Sequence, residues 1–182
     1  MSRPAAFLDR DGVLNRAIIR DGMAFSPMSV CEFDLLPGVG EACGRLDEAG
    51  VEIIVVTNQP EVARGSLSVS TLEDIHRELR SLLPILHIMV CPHDDRDLCH
   101  CRKPLPGMIL DAALMYDIDL TRSVLVGDRT KDIVAGKAAG CATVRIGGGY
   151  VGEPNDVTAD AMAPSLGAAI DFILHLTETE SR

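Results

Sequence analysis

Two aspartates, Asp9 and Asp11, stand just after a short apolar run and just before Gly12. On an extended segment, residues two apart face the same side, so both carboxylates could address one ligand. Carboxylates held that close repel unless a cation or a proton separates them. A divalent cation and a division of labour resolve the conflict: Asp9 ionised as nucleophile and ligand, Asp11 able to carry a proton. Gly12 permits the sharp turn that brings backbone N–H groups toward a phosphate. Taken alone, the same residues also suit an acidic turn without chemistry, because Asp and Gly favour turns anyway.

Three further clusters stand in comparable places. Thr57 and Asn58 end a second apolar run and could offer a hydroxyl and an amide to phosphate oxygens, or simply cap a following helix. Lys103 precedes Pro104, whose ring restricts the lysine backbone and suggests a presented cation rather than a solvated one. Asp128 follows Gly127 at the end of another apolar run, with Asp132 four residues on. Mg²⁺ takes octahedral oxygen ligands, usually one or two carboxylates with phosphate and water. Asp9, Asp128 and the Asp11 carbonyl could meet that need, while the spacing leaves open whether Asp132 ligates directly or through water.

Cys91, His93, Cys99 and Cys101 supply three thiolates and one imidazole within a short segment. That is the closed ligand set of a structural zinc, with no open position for water, so the ion would shape a loop over 91–101 rather than catalyse. Fortuitous clustering is the alternative, and His100 is a competing ligand. Asp94, Asp95 and Asp97 on the same loop read either as solvated or as recognising a cationic substrate. Cys31, Cys43 and Cys141 are expected to be lone buried thiols.

The elements that must position these groups alternate. Strands are expected at Ala5–Leu8, Val51–Thr57, Ile85–Val90, Val124–Val126 and Thr143–Ile146. Helices are expected at Val39–Ala49, Thr71–Leu83, Gly107–Tyr116, Lys131–Ala139 and Ser165–Leu176, with Pro37-Gly38 and Gly50 bounding the first. This alternation predicts the α/β class, a doubly wound parallel sheet with helices on both faces. Ligands of such sheets bind beyond the carboxyl ends of the strands, where all four clusters fall. Residues 1–182 read as a single domain without a large cap, with a polar flap at Arg16–Pro27 and a frayed end at Thr177–Arg182.

Composition narrows the function. The net charge is −10 and aromatic residues make up 3% of 182, so neither a basic face nor a stacking platform for nucleic acid is expected. No apolar run approaches a membrane span and no signal-peptide layout opens the chain, which points to the cytoplasm. Without a heptad seam, a monomer is expected.

The ordered motifs Phe7-Leu-Asp9-Arg-Asp11-Gly-Val-Leu-Asn15, Val55-Val-Thr57-Asn58-Gln59, Arg102-Lys103-Pro104 and Val126-Gly-Asp128-Arg-Thr-Lys-Asp132 resemble those of the haloacid-dehalogenase superfamily. The resemblance implies a Mg²⁺-dependent phosphatase with Asp9 as nucleophile, Asp11 as acid and base, Thr57 on a phosphate oxygen and Lys103 offsetting charge. With the zinc loop, the chain closely resembles the heptose 1,7-bisphosphate 7-phosphatases and the related histidinol phosphatases. That narrower resemblance implies a small sugar-phosphate substrate met by Asn58, Gln59, Arg64, Arg102 and Arg129. Pro60-Glu61 after Gln59, and the flap sequence around Ala17-Ile-Ile-Arg20, depart from the heptose pattern. A zinc-stabilised binding module that has lost its chemistry is the alternative from another class.

Overall fold

The structure is a computed structural model and describes residues 2–20, 23–148, 150 and 157–178. Its strands are β1 (Ala5–Leu8), β2 (Ile18–Arg20), β3 (Met23–Phe25), β4 (Glu52–Asn58), β5 (His87–Cys91), β6 (Val124–Gly127), β7 (Ala142–Ile146) and β8 (Ala161–Ala163). Helices are α1 (Val39–Glu48), α2 (Val69–Leu82), α3 (Gly107–Tyr116), α4 (Thr130–Ala139) and α5 (Leu166–Glu178). Six strands form one sheet in the order β5-β4-β1-β6-β7-β8, parallel throughout. The doubly wound parallel sheet expected from the sequence is therefore present.

The central strands β1 and β6 are apolar at every position because both faces are covered. In β1, Ala6 and Leu8 pack with α1 and α5 on one face, while Ala5 and Phe7 pack with α3 and α4 on the other. All four side chains are fully buried. Burying a side chain of Leu or Phe size contributes roughly 1.5–3 kcal/mol, so β1 is anchored from both sides. That anchoring matters because β1 ends where Asp9 begins, and the Asp9 N–H donates to Val126 O at 2.9 Å.

Several boundaries differ from expectation for local reasons. Helix α2 starts at Val69, not Thr71, because Ser68 accepts the Thr71 N–H at 3.0 Å and caps it. Strand β5 begins at His87 rather than Ile85, and α4 at Thr130 rather than Lys131. Helix α5 continues to Glu178, with Thr177 2% exposed, so the expected fraying does not begin at Thr177; residues 179–182 lie outside the described residues. Strand β8 was not expected, since three residues carry too little pattern. The expected flap contains an antiparallel hairpin of β2 and β3, with residues 21 and 22 outside the description. Cys43 and Cys141 are buried, but Cys31 is exposed, which corrects the reading of it as a core thiol. No helix among the described residues is long and apolar enough to cross a membrane.

Candidate active site

The carboxyl ends of β1, β4 and β6 deliver Asp9, Thr57-Asn58 and Asp128 to one edge of the sheet. Asp9 is 6% exposed and Lys103 only 2%. The Lys103 Nζ donates to Asp9 Oδ1 and to Val56 O, each at 2.7 Å, and forms an ion pair with Asp132 Oδ1 at 2.7 Å. Burial would lower the lysine pKa, but Asp132 and Asp9 outweigh it and hold the ammonium charged well above its ordinary range. Burial raises Asp9 above a normal carboxyl, and Lys103 pulls it only part of the way back. Asp128 is pushed up to about 7 by burial and then by the charges of Asp9 and Asp132.

Asp9, Asp128 and Asp132 each offer an oxygen, all within 4.8 Å of one another. One lysine does not neutralise three buried carboxylates. Asp128 Oδ1 is buried without a hydrogen-bond partner, while its Oδ2 accepts from the Tyr150 hydroxyl at 2.6 Å. An all-oxygen set with an unpartnered oxygen fits a hard divalent cation. The Asp11 carboxylate is not in this group, so Asp11 could join only through its carbonyl, the atom assigned to it from the sequence; Asp132 joins with its side chain.

Two glycines make the approach possible. Gly12 has φ +93°, and a Cβ there would collide with the Asp128 carboxylate. A Cβ on Gly127 would collide with the Asp132 side chain, which packs against it at the start of α4. The Arg129 N–H donates to Asp132 Oδ2 at 3.0 Å, so the same carboxylate also caps α4.

Asp11 sits in a ring of donors: Arg10 Nε at 3.2 Å and Nη2 at 3.0 Å, Asn15 Nδ2 at 3.0 Å, Ser26 Oγ at 2.8 Å and Gln59 Nε2 at 2.9 Å. Burial alone would raise its pKa, but Arg10 and the neutral donors prevail and hold the carboxyl below its ordinary range. Arg10 is itself fully buried, and its Nη1 lies 3.0 Å from His76 Nε2. A guanidinium can only donate, so His76 accepts at Nε2 and carries its proton on Nδ1. Burial, then Arg10, drives the His76 pKa down to about 3 and keeps the ring neutral. Sequence reasoning missed both residues. The available signals were an arginine between two aspartates and a histidine on the Leu72, Ile75, Leu79 face of α2.

Thr57 Oγ1 accepts from Gln59 Nε2 at 2.8 Å, which leaves its hydroxyl proton free for a ligand. Gln59 is fully buried and does not line the cleft, so the expectation that it binds substrate is corrected: it bridges Asp11 and Thr57 from behind. Asn58 lines the cleft, yet both ends of its amide engage the Lys103 backbone, at 3.0 Å to the carbonyl and 3.1 Å from the N–H. It fixes the lysine in place. The rest of the cleft is lined by Asp9, Asp11, Thr57, Pro60, Glu61, Arg64, Arg102, Arg129 and Lys131, with Ala17, Phe25 and Ser26 from the flap. Arg129 also lies over the Tyr150 ring, 4.7 Å from its centroid.

Beside the cleft, β5 ends at Cys91. Cys91 Sγ is 3.7 Å from His93 Nδ1 and 3.6 Å from Cys99 Sγ; Cys101 Sγ is 3.3 Å from His93 Nδ1 and 3.5 Å from Cys99 Sγ. These are four of the six edges of a tetrahedron of ligand atoms, and the four residues could hold one metal ion. His100 does not take part: its Nε2 lies 3.0 Å from Asp111 Oδ2. Asp94 and Asp95 are not simply solvated, because they pair with Arg64 at 2.8 Å and Arg102 at 2.6 Å. Asp97 accepts the Asp94 N–H at 2.7 Å and closes the loop's short 3₁₀ turn.

With this geometry in view, likeness to known proteins becomes specific. A family model described as HAD-hydrolase-like matches residues 100–169. The D-glycero-beta-D-manno-heptose-1,7-bisphosphate 7-phosphatase of Bordetella bronchiseptica is 42% identical over 140 residues, 74% of this chain and 75% of that protein. The D-glycero-alpha-D-manno-heptose-1,7-bisphosphate 7-phosphatase of Mycobacterium bovis is 37% identical over 167 residues, 86% of each chain. A crystal structure of the D,D-heptose 1,7-bisphosphate phosphatase of Bordetella bronchiseptica, complexed with magnesium and phosphate, superposes with a TM-score of 0.79. It covers 95% of this chain and 98% of its own at 34% identity. The chain therefore belongs to the heptose-1,7-bisphosphate 7-phosphatase family of HAD-like hydrolases, and it is a phosphatase.

Proposed function

We propose that this chain removes the 7-phosphate of D-glycero-D-manno-heptose 1,7-bisphosphate through a phosphoenzyme on Asp9, with Mg²⁺ at the carboxylate group and Zn²⁺ in the 91–101 loop. The observation that carries the mechanism is a buried Asp9 held at 2.7 Å by Lys103, beside Asp128 and Asp132, on the floor of a cleft rimmed by arginines. The names of the family members support the sugar.

In the first half-reaction an Asp9 carboxylate oxygen attacks phosphorus and the ester P–O bond breaks. Thr57 donates its free hydroxyl proton to a phosphate oxygen, and Lys103 offsets charge on the phosphoryl group. The bound Mg²⁺ would supply further charge neutralisation and fix the phosphate for in-line attack. Asp11 gives a proton to the departing alkoxide and then takes one from the water that hydrolyses Asp9-phosphate. Its ring of donors favours the ionised form needed for the second step, while an incoming phosphate dianion raises its pKa for the first.

Asp9, Asp128 and Asp132, with the Asp11 carbonyl, would hold Mg²⁺. For Zn²⁺, bonds of about 2.3 Å to sulfur and 2.0–2.1 Å to nitrogen require ligand atoms about 3.5–3.8 Å apart. The observed 3.3–3.7 Å separations support that ion. Six unpaired cysteines support a reducing cytoplasm, and we take the chain as a one-domain monomer there. Histidinol phosphate is the weaker substrate reading, because Asp94 and Asp95, which would meet its ammonium, already pair with arginines.

The test is phosphate release, with Mg²⁺ present, from the α and β anomers of the heptose bisphosphate and from histidinol phosphate. Cleavage of one heptose anomer with kcat/KM at least about a hundredfold above histidinol phosphate is expected. No release from either anomer, with efficient cleavage of another ester, overturns the sugar assignment.

A further inference from the structure

Of the two arginines that the 91–101 loop meets at the cleft, Arg64 is gripped along one edge and Arg102 from two sides. Arg64 donates from Nε at 2.8 Å and Nη2 at 3.0 Å to the two oxygens of Asp94. Arg102 donates from Nε to Asp95 Oδ1 at 2.6 Å and from Nη1 to His93 O at 3.2 Å. Both arginines line the cleft with Asp9 and Thr57, whereas Asp94 and Asp95 stand outside that lining. Arg102 thus keeps Nη2 for a cleft ligand, while Arg64 Nη1 lies 4.0 Å from Glu61 Oε1, too far for a hydrogen bond, and keeps its donors for the same ligand.

A carboxylate beside a phosphate site is costly on charge alone, since it weakens the pull of the arginine it pairs with. Its compensating effect is geometric. Arg64 is half-exposed at 46% and, if unpaired, would spread over many rotamers, so binding would have to order it. Holding the fork in advance removes that ordering cost from the binding step.

We infer that Asp94 and Asp95 are positioning residues that align Arg64 and Arg102 for substrate, so that the metal-held loop sets KM through two carboxylate–guanidinium pairs. This rests on the proposed sugar-phosphate reading, but the two can fail separately. Electrostatics and positioning predict opposite signs. Asp94→Asn removes a negative charge from the cleft rim, which on charge alone would lower KM. If the carboxylate positions Arg64, KM rises.

The experiment compares wild type, Asp94→Asn, Asp95→Asn, Arg64→Ala and the Asp94→Asn/Arg64→Ala double variant in steady-state kinetics, with bound metal and melting temperature measured alongside. Asparagine keeps the acceptor used by the Asp95 N–H at 2.6 Å, so the loop turn is retained. We expect KM to rise about fivefold to tenfold in each asparagine variant, with kcat within about threefold and metal content unchanged. The double variant should be no worse than Arg64→Ala, because Asp94 acts through that arginine. An unchanged or lower KM at full metal content overturns the inference, as does a double variant whose losses add. Should Asp94→Asn lose metal, Asp95→Asn decides, since its exposed carboxylate touches Arg102 and no metal ligand side chain. If wild type leaves the heptose bisphosphate untouched, the substrate reading fails, and the same KM comparison is made on the ester it does cleave.

Discussion

The floor of the cleft and its loop wall solve the same problem, holding charged groups still, by different means. On the floor, Asp9, Lys103, Asp128 and Asp132 are all buried, each placed by a strand end, a helix start or the Asn58 amide. On the wall, only Cys91 comes from a strand, and each charged pair with Arg64 or Arg102 has one partner well exposed. Exposed ion pairs are individually weak, whereas breaking a buried one by removing a single partner is costly. The sheet therefore holds the buried charged groups, and the loop with the Cys/His cluster holds the paired arginines.

The division can be broken at its strong end first. Asp9→Asn should lower kcat by at least about 10⁴-fold, since the nucleophile is gone, while circular dichroism stays native. Lys103 keeps Val56 O as acceptor and Asp132 as ion-pair partner in that variant, so the floor survives. Activity within tenfold of wild type would refute a phosphoenzyme on Asp9. At the wall, Cys99→Ser should reduce bound metal and lower the melting temperature, because the metal contributes folding free energy. KM should rise about tenfold and kcat fall less than threefold. An equal fall in kcat would mean that wall and floor are not separable.

The smallest effect lies behind the floor. The folded His76 pKa is about 3 against an ordinary 6.5, so the folded protein keeps the ring neutral where the unfolded chain protonates it. Stability from this source is complete above the unfolded value and is lost as pH falls below it toward the folded one. His76→Gln leaves an amide acceptor for Arg10 and abolishes this loss. Denaturant titrations should show the variant losing about 1–2 kcal/mol less than wild type between about pH 6.5 and 5. Identical pH profiles would show that His76 titrates in the fold.

Much of the floor was legible because its signals are local. An aspartate pair before a glycine, a threonine-asparagine step and a Gly-Asp step each follow an apolar run, and a parallel sheet sends all such ends to one edge. What was hidden depends on side chains meeting across the fold. The spacing from Asp128 brings Asp132 toward the metal, but its ion pair with Lys103 emerges only when α4 sets the two together. Gln59 reads as part of a ligand-binding motif, yet the chain after β4 turns it inward toward Asp11. Asp94 and Asp95 read as solvated because their arginine partners stand 30 and 7 residues away. The exposure of Cys31 likewise follows from a short 3₁₀ turn that no periodicity marks.

The two-way amide pairing of Asn58 with the Lys103 backbone has a consequence for divergence and for engineering. It stitches the chain leaving the loop directly to the end of β4, so Lys103 has an anchor separate from the contacts Arg102 makes with Asp95 and His93. Changes in the length and charge pattern of the segment between Cys91 and Cys101 should therefore disturb Lys103 less than loss of the Asn58 amide would.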